Sequence, residues 1–159
     1  MSEEQTYGPG HGPGPRMETD EELSRLLASQ TFGALATNKS SGHPNLSTVI
    51  YNWDPEQRVV RISTVAGRAK VRQLQKDPRA ALYVASDDFM AFAVAEGEAE
   101  ISPESARPGD EVGRELLAMS PGFADPAGQA AFLRQMVADR RLVIRLRASR
   151  LYGTALDAR

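Results

Sequence analysis

At 159 residues, with 41% hydrophobic and 25% charged, the chain is long enough for one domain around one core and too balanced in composition to read as fibrous or disordered. A formal net charge of −2 supplies no basic field for nucleic acid, and the absence of cysteine excludes disulfides, thiolate chemistry and cysteine metal sites. The acidic opening Met1–Gln5 lacks a signal-type apolar region, and no run nears the roughly 18 apolar residues of a membrane span, so a cytoplasmic protein with no membrane and no nucleic-acid partner is expected.

Residues 1–16 carry Gly8-Pro9-Gly10-His11-Gly12-Pro13-Gly14-Pro15 without apolar periodicity, which predicts a flexible tail ahead of one domain over 17–159. A lone His11 there reads as incidental rather than as a metal ligand. Thr19-Asp20-Glu21-Glu22 fits a capping box, and Leu23, Leu26 and Leu27 follow at helical spacing, so a helix is expected from Asp20 to about Ala28. Phe32 to Asn38 and Asn45 to Trp53 read as strands on either side of a loop at Lys39-Ser40-Ser41-Gly42. After the turn Asp54-Pro55-Glu56-Gln57, Arg58 to Thr64 alternates with a period of two.

Val71 and Leu74 among charges predict a short helix from Gly67 to Lys76, closed ahead of Pro78. Strands are then expected over Ala80 to Ala85 and from about Met90 to Ile101, the second bent or bulged at Gly97. Residues 102–139 predict a helical insertion, with helices over Glu111 to Met119 and Gln129 to Val137 divided by breakers from Pro121 to Gly128. The last strand turns Leu142, Ile144 and Leu146 one way and Arg141, Val143, Arg145 and Arg147 the other. Six short strands joined by turns, short helices and no βα alternation indicate a mainly β (α+β) chain built as a six-stranded antiparallel barrel.

The chain contains no Gly-x-Gly-x-x-Gly, Walker A or Gly-x-Ser-x-Gly pattern. Two histidines, His11 and His43, cannot build a three-ligand metal site by themselves, so no metal is expected. Glu96, Glu98 and Glu100 alternate along one strand and read as a solvated face. With no catalytic side-chain constellation, any enzymatic chemistry falls to a cofactor.

The segment from Arg61-Ile62-Ser63-Thr64 through Gly67 to Arg68-Ala69-Lys70-Val71-Arg72-Gln73-Leu74 ends a strand in two hydroxyls and opens a helix with cations. Cations at a helix N-terminus are unfavourable unless an anion sits there, so the pattern reads either as a phosphate cradle or as a solvated basic face. Asn45-Leu46-Ser47-Thr48-Val49-Ile50-Tyr51-Asn52-Trp53 reads either as the lining of a flat pocket or as a barrel strand with one polar face and Trp53 in the core.

These segments resemble, in order and spacing, the pyridoxamine-phosphate-oxidase-like (FMN-binding) split barrels, a superfamily of flavin and deazaflavin oxidoreductases, and within it the branch using coenzyme F420. The resemblance rests on the opening helix, Phe32-Gly33-Ala34-Leu35-Ala36-Thr37, Pro44-Asn45-Leu46-Ser47-Thr48-Val49, Ile62-Ser63-Thr64 through Arg68, Lys70, Gln73 and Leu74 to Asp77-Pro78-Arg79, and Arg141–Leu146 with Leu151-Tyr152-Gly153. It spans roughly residues 19–157.

It implies a six-stranded split barrel that forms a homodimer, with cofactor grooves at the subunit interface. Ser63, Thr64, Arg68 and Lys70 would hold the cofactor phosphate, with Gln73 nearby, although family members often carry Asn at that position. Asn45, Ser47, Thr48 and Val49 would lie along the ring system. The implied reaction is hydride transfer between F420 and an electron-poor small molecule such as a tetrapyrrole, quinone or enone. The same fold with FMN, and a non-catalytic cofactor or tetrapyrrole carrier, are the alternatives.

Overall fold

The computed structural model describes residues 14–156. The tail expected over 1–16 falls mainly on residues 1–13, His11 among them, which lie outside the described residues; Arg16, its last residue, forms part of a strand. In chain order the elements are β1 (Arg16–Met17), α1 (Asp20–Ser29), β2 (Phe32–Asn38), β3 (Pro44–Ile50), β4 (Asn52–Asp54), β5 (Val59–Val65), α2 (Ala69–Lys76), β6 (Arg79–Ala85) and β7 (Phe92–Ile101). They continue with α3 (Glu111–Ala118), α4 (Pro126–Ala138), β8 (Arg141–Tyr152) and β9 (Thr154–Ala155). No helix among the described residues is long and apolar enough to cross a membrane.

The capping box forms as the sequence predicts. The Thr19 hydroxyl accepts from the Glu22 N–H at 3.2 Å, and the Glu22 carboxylate accepts from the Thr19 N–H at 3.1 Å. The helix so started buries Leu23 and Leu27 against the inner face of the sheet.

That sheet is antiparallel, in the order β3-β2-β6-β7-β8-β5-β4. Its two edge strands, β3 and β4, are consecutive in the chain and separated by Tyr51 alone, so the sheet curls until its edges meet. Here the structure corrects the expected count of six strands to seven. Asn45 to Trp53 is not one strand, because it changes partner: Ile50 still pairs with Phe32 of β2, whereas Asn52 pairs with Arg61 of β5. Tyr51 turns inward at the switch and donates its hydroxyl to Leu27 O of α1, while Trp53 Nε1 donates to Ser24 Oγ at 2.9 Å. Both aromatics are buried and fasten α1 into the barrel, so they belong to the core and not to a pocket.

Leu142, Ile144 and Leu146 face inward opposite Thr64, Ile62 and Val60. The β7–β8 register shifts between Glu96 and Gly97, at the glycine where the sequence predicts a bulge. Glu96 and Glu100, expected to be only solvated, ion-pair across this ladder: Glu100 with Arg145 at 2.8 Å and Arg147 at 3.4 Å, Glu96 with Arg150 at 3.7 Å. Strand β7 starts at Phe92 instead of Met90, because a turn over Ser86–Met90 uses the Asp88 carboxylate to accept from the Met90 N–H.

The insertion packs outside the barrel. Val112 and Leu116 of α3 and Met136 of α4 cover Val143, and Glu115 accepts from Arg145 at 2.7 Å while lying 3.8 Å from Arg61. Asp110 caps α3: its carboxylate accepts from the N–H groups of Gly113, Ala106 and Arg107 and from the Ser105 hydroxyl. Burial alone would raise this carboxyl, but those four donors outweigh it and hold it at about 2. Asp110→Ala should therefore lower stability by about 1–2 kcal/mol, read as a shifted urea midpoint. Because the folded pKa lies below the ordinary 3.8, this contribution is complete above that value and is lost as pH falls toward 2. Over that window the parent should lose more stability than Asp110→Ala.

Candidate functional site

Strand β5 is paired with β8 along its whole length but with β4 only over Val59–Arg61. Among the described residues Ile62–Val65 therefore present an open edge on the β4 side, and β3, at the end of the sheet, presents another. These two edges bound the split in the barrel, and the chain leaving β5 rises over its end.

Thr64 is buried on the inner face, whereas Ser63 is exposed on the outer face opposite Val143. The turn from Val65 is closed by the Arg68 N–H donating to Val65 O at 3.3 Å. A Cβ on Gly67 would meet nothing within 4 Å, so the outer side of the turn is unobstructed. Arg68 is the N-cap of α2, with no side-chain capping bond and no acid in the first turn. Aspartates cap α3 and α4 and a threonine caps α1; at α2 the electropositive terminus is left to cations.

Lys70 stands in that first turn, half-buried, and neither it nor Arg68 has an ion pair or side-chain hydrogen bond among the described residues. Burial first, and then the neighbouring Arg68 charge, push the Lys70 ammonium below its ordinary pKa of 10.5. Arg72 turns back and donates to Gly67 O, bracing the turn. Gln73 accepts from the Thr37 hydroxyl at 2.6 Å, and Thr37 pairs with Asn45 across the β2–β3 ladder, which links α2 to β3.

The β3 residues divide by strand period. Asn45, Ser47 and Val49 share one face and Thr48 lies on the other. Val49 is buried in the core, so only its backbone is available to a ligand. The Ser47 hydroxyl oxygen is buried and has no hydrogen-bond partner among the described residues. Thr48 instead lines an outer groove of about 500 Å³ with Phe32, Ala34, Tyr83 and Phe89. Ser63, Thr64, Arg68 and Lys70 thus lie along one strand end and turn, Asn45 and Gln73 are connected through Thr37, and Thr48 faces away from this group.

Sequence reasoning missed the notch of about 300 Å³ where the β2–β3 loop meets α2, lined by Gln73 with Asn38, Lys39, Arg72 and Lys76. No local signal places Lys39 against a helix thirty residues further on, though the opposite orientation of Thr48 was readable from the period of two. Among the described residues no group of three or more His, Cys, Asp or Glu side chains is placed to hold a metal. The arrangement offers anion binding beside two unpaired strand edges, with chemistry left to whatever is bound.

A family model described as pyridoxamine 5'-phosphate oxidase matches residues 19–155. Among solved structures, a conserved hypothetical protein of Mycobacterium tuberculosis is 20% identical, with a TM-score of 0.69 over 88% of this chain and 86% of its own. An F420 reductase is 24% identical, with a TM-score of 0.58 over 80% of this chain and 94% of its own. A FAD-binding protein of Mesorhizobium loti is 15% identical, with a TM-score of 0.60 over 88% and 96%. At these identities the structural likeness speaks for the fold.

Proposed function

Because the chain belongs to the pyridoxamine 5'-phosphate oxidase family, a split-barrel family of flavin- and deazaflavin-type oxidoreductases, we propose that it is a reductase that binds coenzyme F420 and acts on an electron-poor organic molecule. The observation that carries this reading is the pair of cations at the start of α2, Arg68 and half-buried Lys70, with no carboxylate partner among the described residues. A phosphate fits there: it would relieve the like-charge pair and accept from the helix N-terminus.

When bound, the reduced deazaflavin supplies a hydride. This chain's residues hold and orient. Lys70, Arg68 and the Ser63 hydroxyl would fix the phosphate, while Asn45, the unpartnered Ser47 hydroxyl and the backbone edge at Val49 would bond the polar rim of the rings. Holding donor and acceptor carbons in reacting geometry, with water excluded, is the role these residues would serve. The same fold with FMN is the second reading, since the cradle suits either phosphate.

A second copy of the chain is the proposed cover for the apolar outer face of β3, β2 and β6, where Phe32 is 61%, Leu46 67%, Ile50 63% and Tyr83 43% exposed. Titration with F420, FMN and haem in parallel, followed by absorbance, tests the cofactor. F420 should saturate at the lowest concentration, and its reduced form should be reoxidised by a quinone, enone or linear tetrapyrrole. Light scattering of the same samples should give about twice the chain mass. Tight FMN binding without F420 binding would reverse the two readings; F420 binding without turnover would favour a carrier.

A further inference from the structure

Five cationic side chains are half-buried among the described residues: Arg58, Arg61, Lys70, Arg141 and Arg145. Three have carboxylate partners: Arg58 with Asp20 at 3.0 Å, Arg61 with Asp54 at 3.2 Å, Arg145 with Glu115 at 2.7 Å. The other two, Lys70 and Arg141, have neither an ion pair nor a side-chain hydrogen bond there. Lys70 follows the end of β5 in the first turn of α2, and Arg141 lies across the ladder from the last residue of β5.

Arg141 opens β8 directly opposite Val65, the last residue of β5. Residues opposite one another in an antiparallel ladder project to one face, so Arg141 shares the outer face with Val65 and, one step along, with Ser63 opposite Val143. Val65 is also the residue whose carbonyl closes the turn to Arg68. The neighbouring position on β8, Val143, is sealed beneath Val112, Leu116 and Met136, which leaves Arg141 at the margin of the insertion. Its Nε atom is buried and has no partner among the described residues.

An unpaired, partly desolvated guanidinium is costly, and its planar fork matches a phosphoryl group. Later along the same face Arg145 pairs with Glu115 and Glu100 and Arg147 with Glu100, whereas Arg141 has no carboxylate partner among the described residues. We infer that Arg141 is a third cationic anchor, reaching from β8 across Val65 to the phosphoryl group held by Arg68, Lys70 and Ser63. The inference rests on the cofactor-phosphate reading above and adds to it a residue from a distant strand, so that the phosphate would be gripped from both sides of the β5 end.

The test uses the full chain with Arg141→Met, which keeps bulk and removes charge, and Arg141→Lys, which keeps charge and removes the fork. Dissociation constants are measured for F420 and FMN, together with protection against thermal unfolding by inorganic phosphate relative to chloride at equal ionic strength. Arg141→Met should weaken the tighter-binding cofactor about 10- to 100-fold, as loss of a charged hydrogen-bonding partner does. Phosphate protection should shrink, and the melting temperature without ligand should stay level or rise because an unpaired cation is gone. Arg141→Lys should fall between parent and Arg141→Met. Unchanged constants in both Arg141 variants, with Lys70→Ala impaired, would overturn the assignment while leaving the cradle standing. Unchanged constants in Lys70→Ala as well would remove the cradle itself. A fall in ligand-free melting temperature with phosphate protection intact would make Arg141 a packing residue and also overturn the inference.

Discussion

Lys70→Ala should weaken cofactor binding about 10- to 100-fold in isothermal titration, and Arg68→Ala should do the same, since each removes a charge-assisted contact worth roughly 1.5–3 kcal/mol. The double variant should lose more than either single one. Neither change should destabilise the ligand-free fold, because a cation in the first turn of α2 opposes the helix dipole and has no carboxylate partner there. Affinity should fall with salt more steeply in the parent than in the variants, which already lack one screened pair. A solvated basic face would leave constants and salt response alike untouched, and that result would discard the phosphate site.

The pH dependence carries a sign that can be checked independently. Burial and the Arg68 charge lower the Lys70 pKa below 10.5 in the ligand-free fold, whereas a bound phosphate stabilises the ammonium and raises it again. Binding therefore takes up a proton between those two values. Affinity should be complete below the lowered pKa and decline as pH rises through it, and the decline should vanish in Lys70→Ala. Ligand-free stability runs the other way: charged Lys70 is a cost at neutral pH, relieved as pH rises through the same lowered value toward 10.5.

Gly97→Ala should be among the most destabilising single substitutions in the barrel, by roughly 3 kcal/mol or more. An added Cβ would lie 1.9 Å from Arg147 O, a backbone atom in the partner strand, and within 2.9 Å of the carbonyl carbon, so no side chain can yield to make room. The β7–β8 ladder must part at the bulge, in the middle of the sheet order. Gly67→Ala is the matched control: its Cβ would meet nothing within 4 Å, and the backbone is not left-handed there. Its ligand-free stability should stay within about 0.5 kcal/mol of the parent or rise slightly, since alanine restricts the unfolded chain. Urea denaturation of both variants measures the contrast, and equal midpoints would refute the clash.

What the sequence discloses follows the range of the interaction. Thr19 with Glu22, Val71 with Leu74, and the alternation along β5 and β8 act within one turn or one strand, and each can be read locally. Gly97 was legible because a lone glycine within a strand has few reasons to be there. Ser63, Thr64, Arg68 and Lys70 were found together because they lie within eight consecutive residues. The partner change at Tyr51 was hidden, because a strand-like run of residues does not record which neighbour it pairs with. The outer face of Arg141 is legible from the alternation of its strand, but its position across from Val65 is set by the β5–β8 register and by nothing in its own segment. Lys39 depends likewise on how the β2–β3 loop meets α2.

The strand that changes partner at Tyr51 has a consequence for how the molecule opens. In an open sheet an edge strand can peel away while the rest persists, and exchange of its amides reports only that local event. Here the two edges are one continuous piece of chain, anchored at its midpoint by the Tyr51 hydroxyl on α1. Peeling β3 from β2 pulls on β4 and, through Tyr51 and Trp53, on the helix plugging the barrel. Fraying at either rim is thereby coupled across the mouth of the barrel, so the amides of β3 and β4 should exchange together in hydrogen exchange.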